Sequence, residues 1–351
     1  MGFPTGLWPS SAHLFACMNS VHAKSPCCGA AIRRFGQRRR QCRQCKRTWT
    51  VRPRRRGRRR HRTPLSRLQR VLVEGFALRQ LATKHCTVTV PGYRYRFRQA
   101  LRRFVARPSP QALPRGPLVL LADGLWFHFA GRPWILYLTA LRACRGRRAV
   151  FLDPLLLPGQ EGASRWRHAM AAVPATAQRR IRAFVADDLP GMRRIAREHR
   201  WVFQLCHFHL LLRLRGPRSH GRPHSPRARR VRAALERLVR QALALPDGPP
   251  LQHTLTALQR LSERDCGTLR TQRTVRQFLQ HLADYRAYLA YPALQLPRTT
   301  SAVESMARLL RELFRSSRAG SSPASVQLWA TALIRLRPEI TCNGWPINRN
   351  S

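Results

Sequence analysis

The sequence predicts an α/β protein in which a mixed sheet carrying an α-helical insertion follows two small N-terminal modules. Three observations predict it. Between residues 118 and 211, apolar runs suited to strands alternate with amphipathic runs suited to helices. Half of the ten cysteines fall before residue 46. Basic residues number 66 against 15 acidic ones, a formal net charge of +51.

So large an excess of positive charge calls for a polyanion, because phosphates relieve the self-repulsion of a compact basic chain. Nucleic acid is the expected partner. Only Lys24, Lys46 and Lys84 are lysines, so arginine usage also carries a GC-rich codon bias and overstates function. A membrane is not expected, since no run approaches the 18 or so apolar residues of a spanning helix. Residues 1–21 are read as a disordered N-terminus, without the charged and apolar regions of a signal peptide.

Residues 22–50 hold a CxxC pair, Cys42 and Cys45, with Cys27 and Cys28 upstream. Two thiol pairs a dozen or more residues apart read as a zinc ribbon, each pair on a tight turn, with Zn²⁺ as the cofactor. The first pair is irregular: adjacent cysteines replace the usual spacing, so the fourth ligand is Cys27 or His22. Residues 51–63 form a basic linker with eight arginines between 52 and 62. Arg54, Arg55, Arg56, Arg58, Arg59 and Arg60 are expected to hold DNA phosphates without reading sequence.

Residues 64–106 space Leu65, Leu68, Val71, Leu72 and Phe76 for one helix, and Pro91 opens another that displays Arg94, Arg98 and Arg102. The pattern reads as a helix-turn-helix, although "YRYRFR" also alternates like a strand. A Pro-rich linker, 107–117, leads to the large domain, 118–345, with a helical insertion at 211–298. Its stripe of Val231, Ala234, Leu235, Leu238, Val239 and Leu243 reads as core.

Within that domain "LVLLADGLWFHF", "PWILYLTALRA" and "AVFLDPLLL" read as three strands. A helix ("SRWRHAMAAV"), a strand ("IRAFVADD"), a helix ("LPGMRRIAREH") and a strand ("WVFQLCHFHLL") follow. That is the order of an RNase H-like sheet. Asp123 sits on the first strand with no lysine or arginine within six positions, and Asp187 ends the fourth. A carboxylate inside an apolar strand is costly unless it is paired or holds a metal. Strand-borne carboxylates that converge can hold Mg²⁺ or Mn²⁺ for in-line phosphoryl transfer.

"LADGLWF", "FVADDLPGM", "QLCHFHLL" and "TTSAVESMARLL" resemble, in order, the blocks of bacterial insertion-sequence transposases of the Mutator-like type. The resemblance covers about residues 22–345. It implies a DDE transposase that cuts element ends and joins them to target DNA. It also implies the triad Asp123, Asp187 and Glu304 as Mg²⁺ ligands, a homodimer or higher multimer on double-stranded DNA, and a cytoplasmic, nucleoid-associated bacterial setting. Asp188 stands where the family often has Gly, and Ser301 where Asn is frequent. The alternative is a non-catalytic DNA-binding protein derived from a transposase.

Of the two adjacent acids, Asp187 is expected to bind metal and Asp188 to cap the following helix, with the swap left open. Read without the resemblance, Glu304 is an exposed helical acid paired with Arg308, and Glu312 is a rival third acid. Glu161 reads as structural, near a helix N-terminus. Cys206 and His209 form a CxFH block at a strand end. Cys206 is expected in the core, and His209 near the active site, orienting DNA or a carboxylate, with His207 turned away by strand alternation.

Overall fold

The computed structural model describes residues 24–35, 39–50, 64–75, 78, 81, 90–108, 112–215, 226–265, 269–317 and 319–341. The N-terminal segment, His22 and Arg54 to Arg60 lie outside the described residues. The chain divides into two compact units, 1–64 and 65–351.

In the first unit β1 (Ile32–Arg34), β2 (Arg39–Cys42) and β3 (Thr48–Thr50) form an antiparallel sheet in that order. Among its described residues only Ser25 and Cys42 are buried. Among the described residues no apolar core holds so small a sheet, which calls for another staple.

The second unit opens with α1 (Pro64–Leu72) and α2 (Val90–Val105). Next come β4 (Leu118–Phe129), β5 (Arg132–Ala143), β6 (Arg148–Phe151), β7 (Leu155–Pro158) and α3 (Ala163–Ala171). After these lie β8 (Ile181–Ala186), α4 (Met192–Glu198), β9 (Val202–Leu205) and α5 (His207–Arg215). The helices α6 (Pro226–Ala244), α7 (Pro249–Asp265) and α8 (Leu269–Gln280) precede α9 (Ser301–Ser317), α10 (Pro323–Leu336) and β10 (Glu339–Thr341). Several helices begin on proline, whose fixed φ and missing N–H suit the first turn. At α10 the Ser322 hydroxyl also accepts from the Ser325 amide.

The sheet runs β10-β6-β5-β4-β8-β9, with β7 also paired to β5. β5 runs antiparallel to both β4 and β6, and β8 and β9 run parallel to β4. Strand alternation separates two cores. Val119, Leu121 and Leu125 of β4 pack with Val303, Met306 and Leu310 of α9, whereas Leu118, Leu120 and Ala122 pack with Trp166, Met170 and Ile195. The insertion stripe joins the second core through Leu235, Val239 and Leu243. The parallel strands lie covered on both faces, as the solid apolar run of β8 requires.

One expectation holds and two change. "YRYRFR" is helical, as the reading from Pro91 had it: Tyr93, Phe97 and Leu101, four apart, form the buried side of α2, and Arg94 and Arg98 are exposed. Phe97 packs 5.5 Å from Trp329, and Arg335 donates to the Val105 carbonyl at 2.6 Å. The 64–106 segment therefore belongs to the same compact unit as the sheet. "AVFLDPLLL" splits into β6 and β7 at Asp153-Pro154, because proline lacks an amide and restricts its predecessor. "WVFQLCHFHLL" leaves the sheet after Leu205 and becomes α5, which runs past the expected start of the insertion at 211.

Candidate functional site

Register brings the acids together. Leu121 on β4 pairs with Val185 on parallel β8; Asp123 lies two residues beyond that pair on β4, and Asp187 follows directly after the last residue of β8. Glu304 enters from the first turn of α9. Two contacts place that turn. The buried Thr300 meets Cys206 through its amide and its hydroxyl, each 3.3 Å from the sulfur, and the His207 amide donates to the Arg298 carbonyl at 2.9 Å. Cys206 is thus buried, as expected, and stitches the end of β9 to the start of α9.

Asp123, His209 and Glu304 offer ligand atoms that all lie within 4.8 Å of one another. His209 Nε2 is 3.0 Å from Glu304 Oε1 and 3.8 Å from Asp123 Oδ1. Asp123 Oδ1 accepts from the Gly124 amide at 2.9 Å. Glu304 Oε1, although 3.0 Å from the His209 ring, and His209 Nδ1 are buried without a geometrically formed hydrogen bond among the described residues. Such orphaned atoms are costly unless something else engages them.

Burial, reinforced by repulsion from Glu304, pushes the Asp123 carboxyl well above the usual range. Burial also opposes ionisation of Glu304, but the adjacent His209 outweighs it and holds that carboxyl below its ordinary value. On His209 burial works against charge, yet the Cys206 sulfur and the Glu304 and Asp187 carboxylates push the ring up to about 12. Burial and the neighbouring charges thus push the two carboxyls in opposite directions, Asp123 up and Glu304 down. Hard oxygen ligands of this kind suit Mg²⁺ or Mn²⁺ when ionised.

Asp187 points elsewhere. Its Oδ1 accepts from Arg213 Nη2 and, at 2.6 Å, from the Asp188 amide, while Arg213 Nη1 lies 3.5 Å from Asp188 Oδ2. Asp188 does not cap the next helix. α4 starts only at Met192, its N-cap is Gly191 with φ 92°, and no side chain caps it, because Pro190-Gly191 delays the helix by a turn. The CxFH block is also corrected. His209 belongs to α5, and His207 turns away because it is buried on another side of that helix, 2.7 Å from the Tyr285 carbonyl. Glu304 pairs with His209, and Glu312 is exposed further along α9.

Arg213 escaped sequence reasoning: four positions after His209 on α5, it shares its helix face, a signal hidden once the segment reads as a strand. Glu161, read from the sequence as structural near a helix N-terminus, precedes α3, accepts from the Trp166 indole at 3.0 Å, and lies so near Gly124 that a Cβ there would come within 2.7 Å of its Oε1. Burial raises its carboxyl, and nearby Asp187 adds to the shift.

No protein-family model matches the chain, and no curated protein matches it.

In the first unit Cys27, Cys28, Cys42 and Cys45 come together with all four sulfurs within 4.8 Å. Cys27 and Cys45 are 3.3 Å apart, Cys28 and Cys42 3.2 Å, and Cys27 and Cys28 3.8 Å, with every thiol free of disulfides. Four sulfurs on a tetrahedron about 2.3 Å from a metal would be roughly 3.8 Å apart, so the donor set fits Zn²⁺. Hydrogen bonding to Ser25 brings Cys42 down to about 6, toward the thiolate a metal needs.

Proposed function

We propose that the chain is a DDE transposase of a bacterial insertion sequence, which binds element ends and cuts and joins DNA with divalent metal at Asp123, Asp187 and Glu304. The observation that carries the proposal is the convergence of Asp123 and Glu304 from β4 and α9 on one spot, their carboxylate oxygens within 4.8 Å of each other and of the His209 ring. The sheet order supports it: three antiparallel strands followed by two parallel to the first is the RNase H-like order expected from the sequence. So does the net charge of +51, which suits a DNA substrate.

Mg²⁺ or Mn²⁺ held by these carboxylates supplies Lewis acidity to a phosphate oxygen. Burial and Glu304 both oppose ionisation of Asp123, so loading would be favoured by rising pH. His209 would offer a cation to a phosphate. Asp187 completes the ligand set once free of Arg213. Cys27, Cys28, Cys42 and Cys45 would hold Zn²⁺ in a ribbon that, with exposed Arg94 and Arg98 of α2 and the arginines Arg54 to Arg60, grips double-stranded DNA. A dimer or higher multimer would pair the two ends.

The test is incubation of the full chain with DNA carrying the flanking ends of its own gene, in Mg²⁺ or Mn²⁺. The wild type should cut and join at those ends, and Asp123→Asn and Glu304→Gln should lose on the order of 10³-fold or more. Binding without cutting in either metal would reduce the chain to a non-catalytic DNA-binding protein.

A further inference from the structure

The helix α5 lays two cations, four residues apart, over the acids: His209 over Asp123 and Glu304, and Arg213 over Asp187 and Asp188. Leu210, Leu211 and Leu214 are buried in the second core, so the helix itself is anchored and Arg213 can leave only by swinging its side chain. The fork is well suited to this place: one guanidinium nitrogen holds Asp187 and the other faces Asp188. Asp187, two residues past a pair of aligned strand positions, thus spends its charge on an arginine rather than on the cluster beside it.

We propose that Arg213 is a resident counter-cation of Asp187, which withholds this carboxylate from the Asp123–Glu304 cluster until a divalent ion displaces the guanidinium. The inference rests on the reading of that cluster as a divalent-ion site. Arg213 is on this view a positioning residue that acts through Asp187. Its removal strengthens metal binding, whereas a residue that merely held the fold or aimed Asp187 at the metal would weaken it when lost.

The experiment is Mn²⁺ binding to the full chain without DNA, followed by the electron paramagnetic resonance signal of free Mn²⁺. Wild type is compared with Arg213→Gln, Arg213→Lys and Glu304→Gln. Loss of a charge-assisted fork should let Arg213→Gln bind Mn²⁺ about tenfold more tightly. Lysine keeps the charge and the fold but cannot fork, so Arg213→Lys should bind about threefold more tightly, and it carries the test if the glutamine variant does not fold. Equal or weaker binding in the folded variants, with Glu304→Gln still losing the ion, overturns the role of Arg213 alone. If Glu304→Gln binds Mn²⁺ as wild type does, or neither binds it, the divalent-ion reading falls and the inference falls with it.

Discussion

The two candidate metal clusters are held in opposite ways. In residues 24–50 the thiols are the only thing resembling a core: Cys42 is buried beside Ser25, and every other described side chain is at least partly exposed. In the second unit two apolar cores flank the sheet, and the acids are hung on elements that pack without them. The lesson is that a metal can build a fold or be received by one. Burial around the ligands distinguishes the cases before any ion is added.

The comparison can be broken by removing metal from each unit, and the largest effect is expected in the first. Chelation, or Cys42→Ser, should remove on the order of 10 kcal/mol of apparent binding free energy and unfold residues 24–50, with the melting transition of the second unit unmoved. Hydrogen exchange resolved along the chain would read both, and persistence of β1 to β3 protection without metal would break the contrast. Next in size, Asp123→Asn should abolish cutting while leaving the melting temperature equal or higher. It removes a carboxyl whose ionisation burial and Glu304 both oppose. A large drop in melting temperature would mean that the acid is structural.

A third test sharpens the same contrast through His207. Burial depresses its pKa to about 4 from an unfolded value near 6.5. Between these values the unfolded chain takes up a proton that the folded one refuses, so stability falls as pH falls from about 6.5 to 4, by roughly 3 kcal/mol. Urea midpoints across that window should show the loss in wild type and a flatter profile in His207→Gln. The smallest effect concerns Gly124. An alanine Cβ would press on Glu161 Oε1, and Gly124→Ala should cost about 1 kcal/mol in thermal unfolding, relieved when Glu161 is also shortened to alanine.

Much of this was legible in the sequence, for physical reasons that also explain what was not. β4 matches its apolar run end to end, because twelve consecutive residues pair with β5. Asp123 stood out as a charge in that run, and Glu304 through the segment that leads into its helix. The thiols were legible as a cluster, in which Cys27 lies with Cys28, Cys42 and Cys45, while His22 lies outside the described residues. The segment after Leu205 misled because His207-Phe208-His209 alternates as a strand does, while its register is set by the contacts of Cys206 with Thr300. Arg213 was invisible among so many arginines, since only its distance to Asp187 sets it apart. Asp188 read as a cap because sequence does not show that Gly191, at positive φ, begins the helix later.

The most direct test of the central claim is anomalous scattering from crystals of the full chain soaked in Mn²⁺. The account predicts a peak about 2.2 Å from carboxylate oxygens of both Asp123 and Glu304, absent in Glu304→Gln. A map with no peak there, or with Mn²⁺ bound only away from these two residues, would contradict it.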